Sequence, residues 1–103
     1  MDTQGRKDDA NKPRLALLSA PAIWELGEVL TSGADKYGAN NWRKGIDYTR
    51  LLSATLRHVL ALVEGEDLDQ ESGLHHAAHA MAELMFMLDF YMEGRSELDD
   101  RGK

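Results

Sequence analysis

Two runs of apolar residues at helical spacing, joined by a short stretch dense in carboxylates, limit what this chain can build. Leu52, Leu56, Val59, Leu60 and Val63 recur on one side of a helix expected over about residues 49–64. Leu74, Ala77, Ala78, Met81, Leu84, Met85, Leu88 and Met92 make a broader stripe on a helix expected over about 74–92. Residues 65–73 between them suffice only for a tight connection, so the two helices must lie antiparallel, as a hairpin. Phe86, Met87 and Phe90 carry apolar surface round the back of the later helix. A helix apolar on most sides is covered on most sides, so this one is either the centre of a bundle or a subunit interface.

Upstream, Ser19 and Pro21 read as a helix start, and Ile23, Leu26, Leu30, Ala34 and Tyr37 repeat at helical spacing up to a stop at Gly38. Gly27 and Gly33 lie inside that helix, each costing about 1 kcal/mol relative to Ala. Either they allow close packing or the helix breaks near Gly33. Residues 38–47, GANNWRKGID, are rich in turn formers and read as a loop. Asp47 or Thr49 is expected to cap the second helix, and Ser72 or Gly73 the third. Residues 1–11 read as a flexible polar arm, 12–93 as one helical domain and 94–103 as a charged, fraying tail. The expected fold is all-α, with three main helices in a small bundle. At 103 residues its core is small, and a homodimer or larger assembly would enlarge it.

Charge divides the chain. From residue 58 to 93 there are eight acids and no Lys or Arg, whereas residues 12–57 carry seven bases against four acids. The net charge of −6 argues against a nucleic-acid binder, which needs an excess of positive surface. No apolar run approaches the roughly 20 residues of a membrane helix. The first twelve residues lack the apolar core of a signal peptide. With no cysteine, thiolate metal sites and thiol nucleophiles are excluded. The cytoplasm is the expected compartment.

All four histidines fall in the hairpin. His76, His79 and Glu83 share one strip of the third helix. At about 1.5 Å rise per residue, His58 lies about 9 Å back from the end of the second helix and His79 about 9 Å into the third, so the two come out level. Imidazoles with carboxylate oxygens suit Mn, Zn, Fe, Co or Ni, and an all-carboxylate set suits Mg. Five acids, Glu64, Glu66, Asp67, Asp69 and Glu71, crowd the connection, and a cation near Glu66 and Asp69 would offset their repulsion. The bland alternative is a solvated acidic loop beside hydrogen-bonded histidines. Glu25 and Glu28 could face the same cavity, although exposed helix carboxylates at that spacing are common. Among the bases, Lys12, Arg14, Lys36, Arg43 and Arg57 could hold phosphates, Arg in bidentate fashion. Tyr37 and Trp42, beside Asn40 and Asn41, could stack and hydrogen-bond a nucleobase; equally, they could be a helix-end core residue and a loop anchor. No His-Asp pair, H-E-x-x-H, G-x-S-x-G or glycine-rich phosphate loop occurs.

The order and spacing of KPRL, GADKYGANNWRKG, RH, GEDLDQESG and HHAAHA resemble a small phage-borne family, the dATP/dGTP diphosphohydrolase N-terminal domains. That family is grouped with the MazG-like all-α nucleoside triphosphate pyrophosphohydrolases. The K-Y-G-x-x-N-W and S-G-x-x-H-x-x-H blocks carry the likeness, which spans about residues 12–92. It implies metal-dependent hydrolysis of a purine deoxynucleoside triphosphate to monophosphate and pyrophosphate. The family blocks fall on Lys12, Arg14, Lys36, Tyr37, Asn41, Trp42, His58, Glu66, Asp69, His76 and His79. The wider MazG-like pattern pairs E-x-x-E with E-x-x-D on a later helix. Here Glu25/Glu28 supply the first, but Glu66/Asp69 lie in the connection, a departure that the histidines would make up.

The expected site therefore has one or two divalent ions, Mg, Mn or another transition metal, at Glu66, Asp69, His76 and His79, with His58 nearby. Glu28 or Glu83 is the expected general base, Lys36, Arg43 and Arg57 the phosphate cations, and Tyr37 and Trp42 the purine stack. Two rival readings use the same residues. One is a nucleotide-sequestering protein without catalysis; the other is a helical interaction module.

Overall fold

The structure is a computed structural model and describes residues 4–102. Residues 1–3 of the expected arm and residue 103 of the expected tail lie outside the described residues. Three helices account for the body: α1 (Ala20–Tyr37), α2 (Tyr48–Val63) and α3 (His76–Met92). Short 3-10 turns at Leu15–Leu17, Asn41–Lys44 and Ser96–Leu98 punctuate the rest. The expected all-α, three-helix fold is what the chain forms. No described helix is long and apolar enough to cross a membrane.

Local chemistry sets the helix ends. The Ser19 side chain accepts a hydrogen bond from the Ala22 amide at 3.3 Å, with Pro in the first turn, and Gly38 stops α1 at φ +94°. Asp47 stands at the start of α2 but its side chain makes no capping bond. α3 begins two residues later than its apolar pattern. Its cap is neither Ser72 nor Gly73 but His75, whose Nδ1 accepts from the Ala77 amide at 3.0 Å. Ser72 and Gly73 are instead consumed by the turn that precedes it. α1 runs unbroken through Gly33, and a Cβ at Gly27 or Gly33 would meet no atom within 4 Å. Neither of the two expected roles for these glycines is realised within the chain.

α3 is the helix on which both others rest. On one side Val29, Ala78 and Ala82 form a core with Leu26, Leu30, Leu74 and Phe86 around it. On another, Tyr48, Leu51 and Phe90 form a second core with Trp42, Ile46, Phe86, Met87 and Leu98. Phe86 belongs to both and welds them. Because α1 and α2 lean on α3 and not on each other, a cavity of about 1370 Å³ opens between them.

The inner face of α2 differs from the one its apolar stripe marks. Tyr48, Leu51 and Thr55 are buried against α3, while Leu56, Leu60 and Val63 are 58%, 57% and 76% exposed. Thr55 tolerates burial because its Oγ1 donates to the Leu51 carbonyl at 2.9 Å. An amphipathic stripe reports which side wants cover, not which neighbour supplies it. On α1 the same holds: Val29, outside the repeat, is buried, whereas Ile23 and Tyr37 stand exposed.

The tail after Gly94 folds back. Arg95 donates from Nη1 and Nη2 to the carbonyls of Arg43 and Lys44 at 2.8 and 3.0 Å. Asp100 accepts from the Thr49 amide and hydroxyl at 2.9 and 2.6 Å, supplying from a distance the cap that Asp47 does not give. Fraying is therefore not what the described part of this tail does.

Candidate metal centre

The acidic connection is a built turn. The Asp69 amide donates to the Leu74 carbonyl at 2.8 Å, the His76 amide to the Asp67 carbonyl at 2.9 Å, and Leu68 bridges His75 in antiparallel fashion. Inside it, Asp69 Oδ1 accepts from the amides of Glu71 and Ser72, both at 2.9 Å, as an Asx turn does. Those bonds, that to Ser72 first, hold the Asp69 carboxyl below its ordinary pKa, so it is ionised. They also leave Oδ2 facing His76, 4.0 Å from its Nδ1.

The helices bring the histidines to the same place. His58 on α2 and His76 on α3 approach with their Nδ1 atoms 2.8 Å apart. Two ligands each about 2.1 Å from one metal ion stand about 3.0 Å apart in octahedral and about 3.4 Å apart in tetrahedral geometry, so the pair would have to part by a few tenths of an ångström to share an ion. One ligand atom from each of His58, Asp69 and His76 lies within 4.8 Å of the others. Burial, and then the neighbouring His79 and His76, push the His58 pKa down and keep it in the neutral form that binds metal. His76 is only 4% exposed, and its far nitrogen, Nε2, meets Glu66 Oε2 at 2.7 Å. A carboxylate on the far nitrogen is how a metal-binding imidazole is usually oriented. Gln70 in turn donates to Glu66 Oε1 at 2.8 Å.

Of the five expected metal residues, three converge. Glu66 stands behind His76, on the side away from His58. His79 lies parallel to the His58 ring, with centroids 4.7 Å apart and planes 8° apart, and its Nε2 shares a hydrogen bond with Ser72 Oγ at 2.7 Å. Both support the triad without joining it. His58 stands between two histidines of α3, its ring centroid 4.7 Å from that of His79, the expected level partner, and 5.1 Å from that of His76, one turn back.

His58, Asp69 and His79 open onto the cavity between α1 and α2. Glu83 lines it too, its pKa raised by burial and pulled back in part by Arg57. Glu25 and Glu28 do not line it, so the E-x-x-E pair of α1 is not brought to the histidines. Lys36, Tyr37, Asn41, Trp42, Arg43 and Arg57 all line the cavity, whereas Lys12 and Arg14 are exposed ahead of α1 and do not line it.

Several of these cavity residues are already engaged. Lys36 pairs with Glu71 at 2.6 Å across the mouth, which raises its pKa. Trp42 stacks on Phe86 at 4.5 Å and 19°, and the Arg43 guanidinium covers it at 4.3 Å. Arg43 also donates to Asn40 and lies 3.7 and 3.9 Å from Asp89 and Glu93. Arg57, by contrast, has no ion pair under 4 Å among the described residues. The roles of Ser72 and His75 and the tail contacts of Arg95 had no sequence signal, since each depends on where the chain turns back.

A family model described as dATP/dGTP diphosphohydrolase, N-terminal, matches residues 2–101. The chain belongs to this family. A relative from Salmonella phage PMBT28, named dATP/dGTP diphosphohydrolase, is 44% identical over 97 residues, which is 94% of this chain. The aligned part is 33% of that relative, so the chain spans about a third of its length. No solved structure matches.

Proposed function

We propose that this domain hydrolyses a purine deoxynucleoside triphosphate, such as dGTP or dATP, to the monophosphate and pyrophosphate, with a divalent ion held by His58, Asp69 and His76. The observation that carries the reading is the meeting of those three ligand atoms at the edge of a cavity of about 1370 Å³, which His58 and Asp69 line together with Arg57, Tyr37 and Glu83 while His76 is buried behind them. The substrate class comes from the name of the phage relative and from the family description. A two-imidazole, one-carboxylate set favours Mn, Co, Fe or Zn over Mg. That Glu25 and Glu28 do not line the cavity, whereas His58 and Asp69 do, supports this mixed set over the carboxylate-only pattern of MazG-like enzymes.

The ion would supply charge neutralisation for the triphosphate and acidification of the attacking water. The rest falls to the chain. Glu83, buried beside the cavity with a raised pKa, is the candidate general base that takes a proton from water attacking the α-phosphorus. Arg57 neutralises charge on the departing pyrophosphate. Tyr37, 62% exposed at the end of α1, offers a ring face to the purine. Glu66 and His79 hold the imidazoles in register. The protein would act in the cytoplasm of the phage's host, as a homodimer or larger assembly.

Purified protein incubated with dGTP or dATP and Mn, Co, Zn or Mg should release pyrophosphate, and His76→Ala should abolish that release. Nucleotide binding without turnover under every metal would replace this reading with sequestration.

A further inference from the structure

Trp42 and Arg43 reach the cavity from the 3-10 turn Asn41–Lys44, four residues that are too few to hold themselves in place. Gly45 closes the turn by donating its amide to the Trp42 carbonyl at 3.0 Å. The carbonyls of Arg43 and Lys44 lie past the last amide that the turn can use. Arg95, 52 residues along the chain from Arg43, takes both, Nη1 at 2.8 Å and Nη2 at 3.0 Å. Its Nε donates to Glu97 at 3.3 Å, and its guanidinium lies 5.3 Å from the centroid of the Phe90 ring. Each of its nitrogens is thus engaged, and Arg95 does not line the cavity. A planar fork suits two successive carbonyls, as the point charge of a lysine does not.

The residues after Arg95 strengthen the same grip. Leu98 packs on the core that Trp42 and Ile46 also cover. Asp100 holds the amide and hydroxyl of Thr49, and the Arg101 guanidinium lies 5.2 Å from the centroid of the Tyr48 ring. The tail therefore fixes the stretch that leads from the 3-10 turn into α2.

What that stretch presents to the cavity is a guanidinium already set in place. Arg43 lies over Trp42, and its Nε donates to Asn40 Oδ1 at 3.1 Å. Its Nη1 stands 3.7 and 3.9 Å from the carboxylates of Asp89 and Glu93, beyond hydrogen-bond length. Those acids orient the group without using its donors, and half of the side chain is exposed. An arginine ordered before its ligand arrives is spared that ordering cost on binding. Arg57 lines the same cavity, so two guanidiniums are available to one anion.

We propose, on the nucleotide reading of the cavity, that Arg95 is a positioning residue for the substrate: by holding the turn through its carbonyls it keeps Arg43 on the cavity wall, where Arg43 binds the triphosphate beside Arg57. The tail, although outside the cavity, then sets the affinity for the phosphates.

Calorimetric titration tests this with two probes in the presence of Mn, a dGTP analogue whose α,β bridge is an uncleavable methylene and inorganic triphosphate, and with Mn alone as control. Arg95→Ala should weaken both anions by about tenfold, as Arg43→Ala does, and leave Mn binding within about twofold of the unaltered protein. In the Arg43→Ala background, Arg95→Ala should weaken neither anion further, because its effect passes through Arg43. Arg95→Lys keeps the charge and stem without the fork, and should show the same losses if the alanine variant loses its helical circular dichroism. Unchanged anion affinity, a further loss in the Arg43→Ala background, or an equal fall in Mn binding would each overturn the role. If the unaltered protein binds the analogue but releases no pyrophosphate from dGTP with any metal, the hydrolase reading falls and the role of Arg95 stands on its binding data. If it binds neither anion, both fall.

Discussion

The Nδ1 atoms of His58 and His76 face each other at 2.8 Å, one from each helix of the hairpin, with the Asp69 carboxylate closing the third side. Without an ion, one of the two nitrogens must carry a proton that the other accepts. With one, both donate lone pairs to the same point. Isothermal titration with Mn or Zn separates the cases: His58→Ala and His76→Ala should each weaken binding by about 100-fold or more, since each removes one of three ligands. His79→Ala, which removes only a stacked neighbour, should cost less. Equal losses at all three positions would make His79 a ligand too, and no binding by the unaltered protein would show that the pair is a hydrogen bond and not a centre.

Glu66 makes its only contact with the triad through His76 Nε2, at 2.7 Å. Glu66→Gln keeps the shape but weakens the hold on the imidazole. Metal affinity should fall by about 10–100-fold, the usual cost of losing an outer partner. A loss as deep as that of His76→Ala would instead make Glu66 a direct ligand.

Trp42 and Tyr37 were interchangeable on paper, but they differ in the fold. Trp42 lies between Phe86 and the Arg43 guanidinium, with both faces covered. Trp42→Ala should cost about 3 kcal/mol of stability, measured by chemical denaturation. Tyr37→Ala, at an exposed helix end, should change stability by less than about 0.5 kcal/mol. It should nevertheless weaken nucleotide binding by about tenfold if the ring stacks on the base.

Burial raises the pKa of Glu83 above its ordinary 4.5, with Arg57 opposing. The folded state therefore binds this proton more tightly than the unfolded one. The resulting stability is complete below about 4.5 and drains away as pH rises through the raised folded value. Glu83→Gln cannot ionise and should escape that loss. Thermal melts of the two proteins from pH 4 to 8 should run parallel at the acid end and diverge in favour of the variant toward neutrality. If Glu83 is the base, the same variant should lose about 10²–10⁴ in turnover. A more stable and much slower enzyme is the signature.

Arg95 clamps the loop that carries Trp42 and Arg43 by two bonds to its carbonyls. Gly45 makes room for that clamp: at φ +111°, a Cβ there would stand 2.6 Å from Arg95 Nη2. Arg95→Ala should cost about 2 kcal/mol, and Gly45→Ala should be destabilising as well. In a double-mutant cycle the two should be clearly non-additive, because part of the glycine's cost is the collision with the arginine that the first change removes.

Legibility in the sequence followed the range of the interactions. Helix number, the hairpin, the Ser19 and Gly38 boundaries and the apolar nature of α3 depend on neighbours within a turn or two, and all could be read from spacing. The grouping of His58 with Asp69 and His76 was half legible. Rise per residue levels His58 with His79, whose ring does stack on it, but that the His58 Nδ1 meets His76 and not His79 depends on how the two helices are rotated against each other. Glu66 was picked out, but its position behind His76 depends on a turn closed by backbone bonds between Asp67 and His76. The apolar stripe of α2 was legible but the face that α3 covers was not, since apolar spacing does not say which neighbour supplies the cover.

By itself the sequence determined the secondary structure, the charge split and a short list of groups able to bind metal and phosphate, because those are properties of composition and local order. Only the tertiary structure decided which of those groups meet. α1 and α2 both rest on α3, so a cavity opens between them and Glu25 and Glu28 stay out of it. The acidic connection folds back on its own amides, so Asp69 reaches the histidines while Glu66 braces one from behind. The physical reason is that burial and hydrogen bonding are satisfied between segments distant in the chain, and no residue announces in advance which partner will satisfy it.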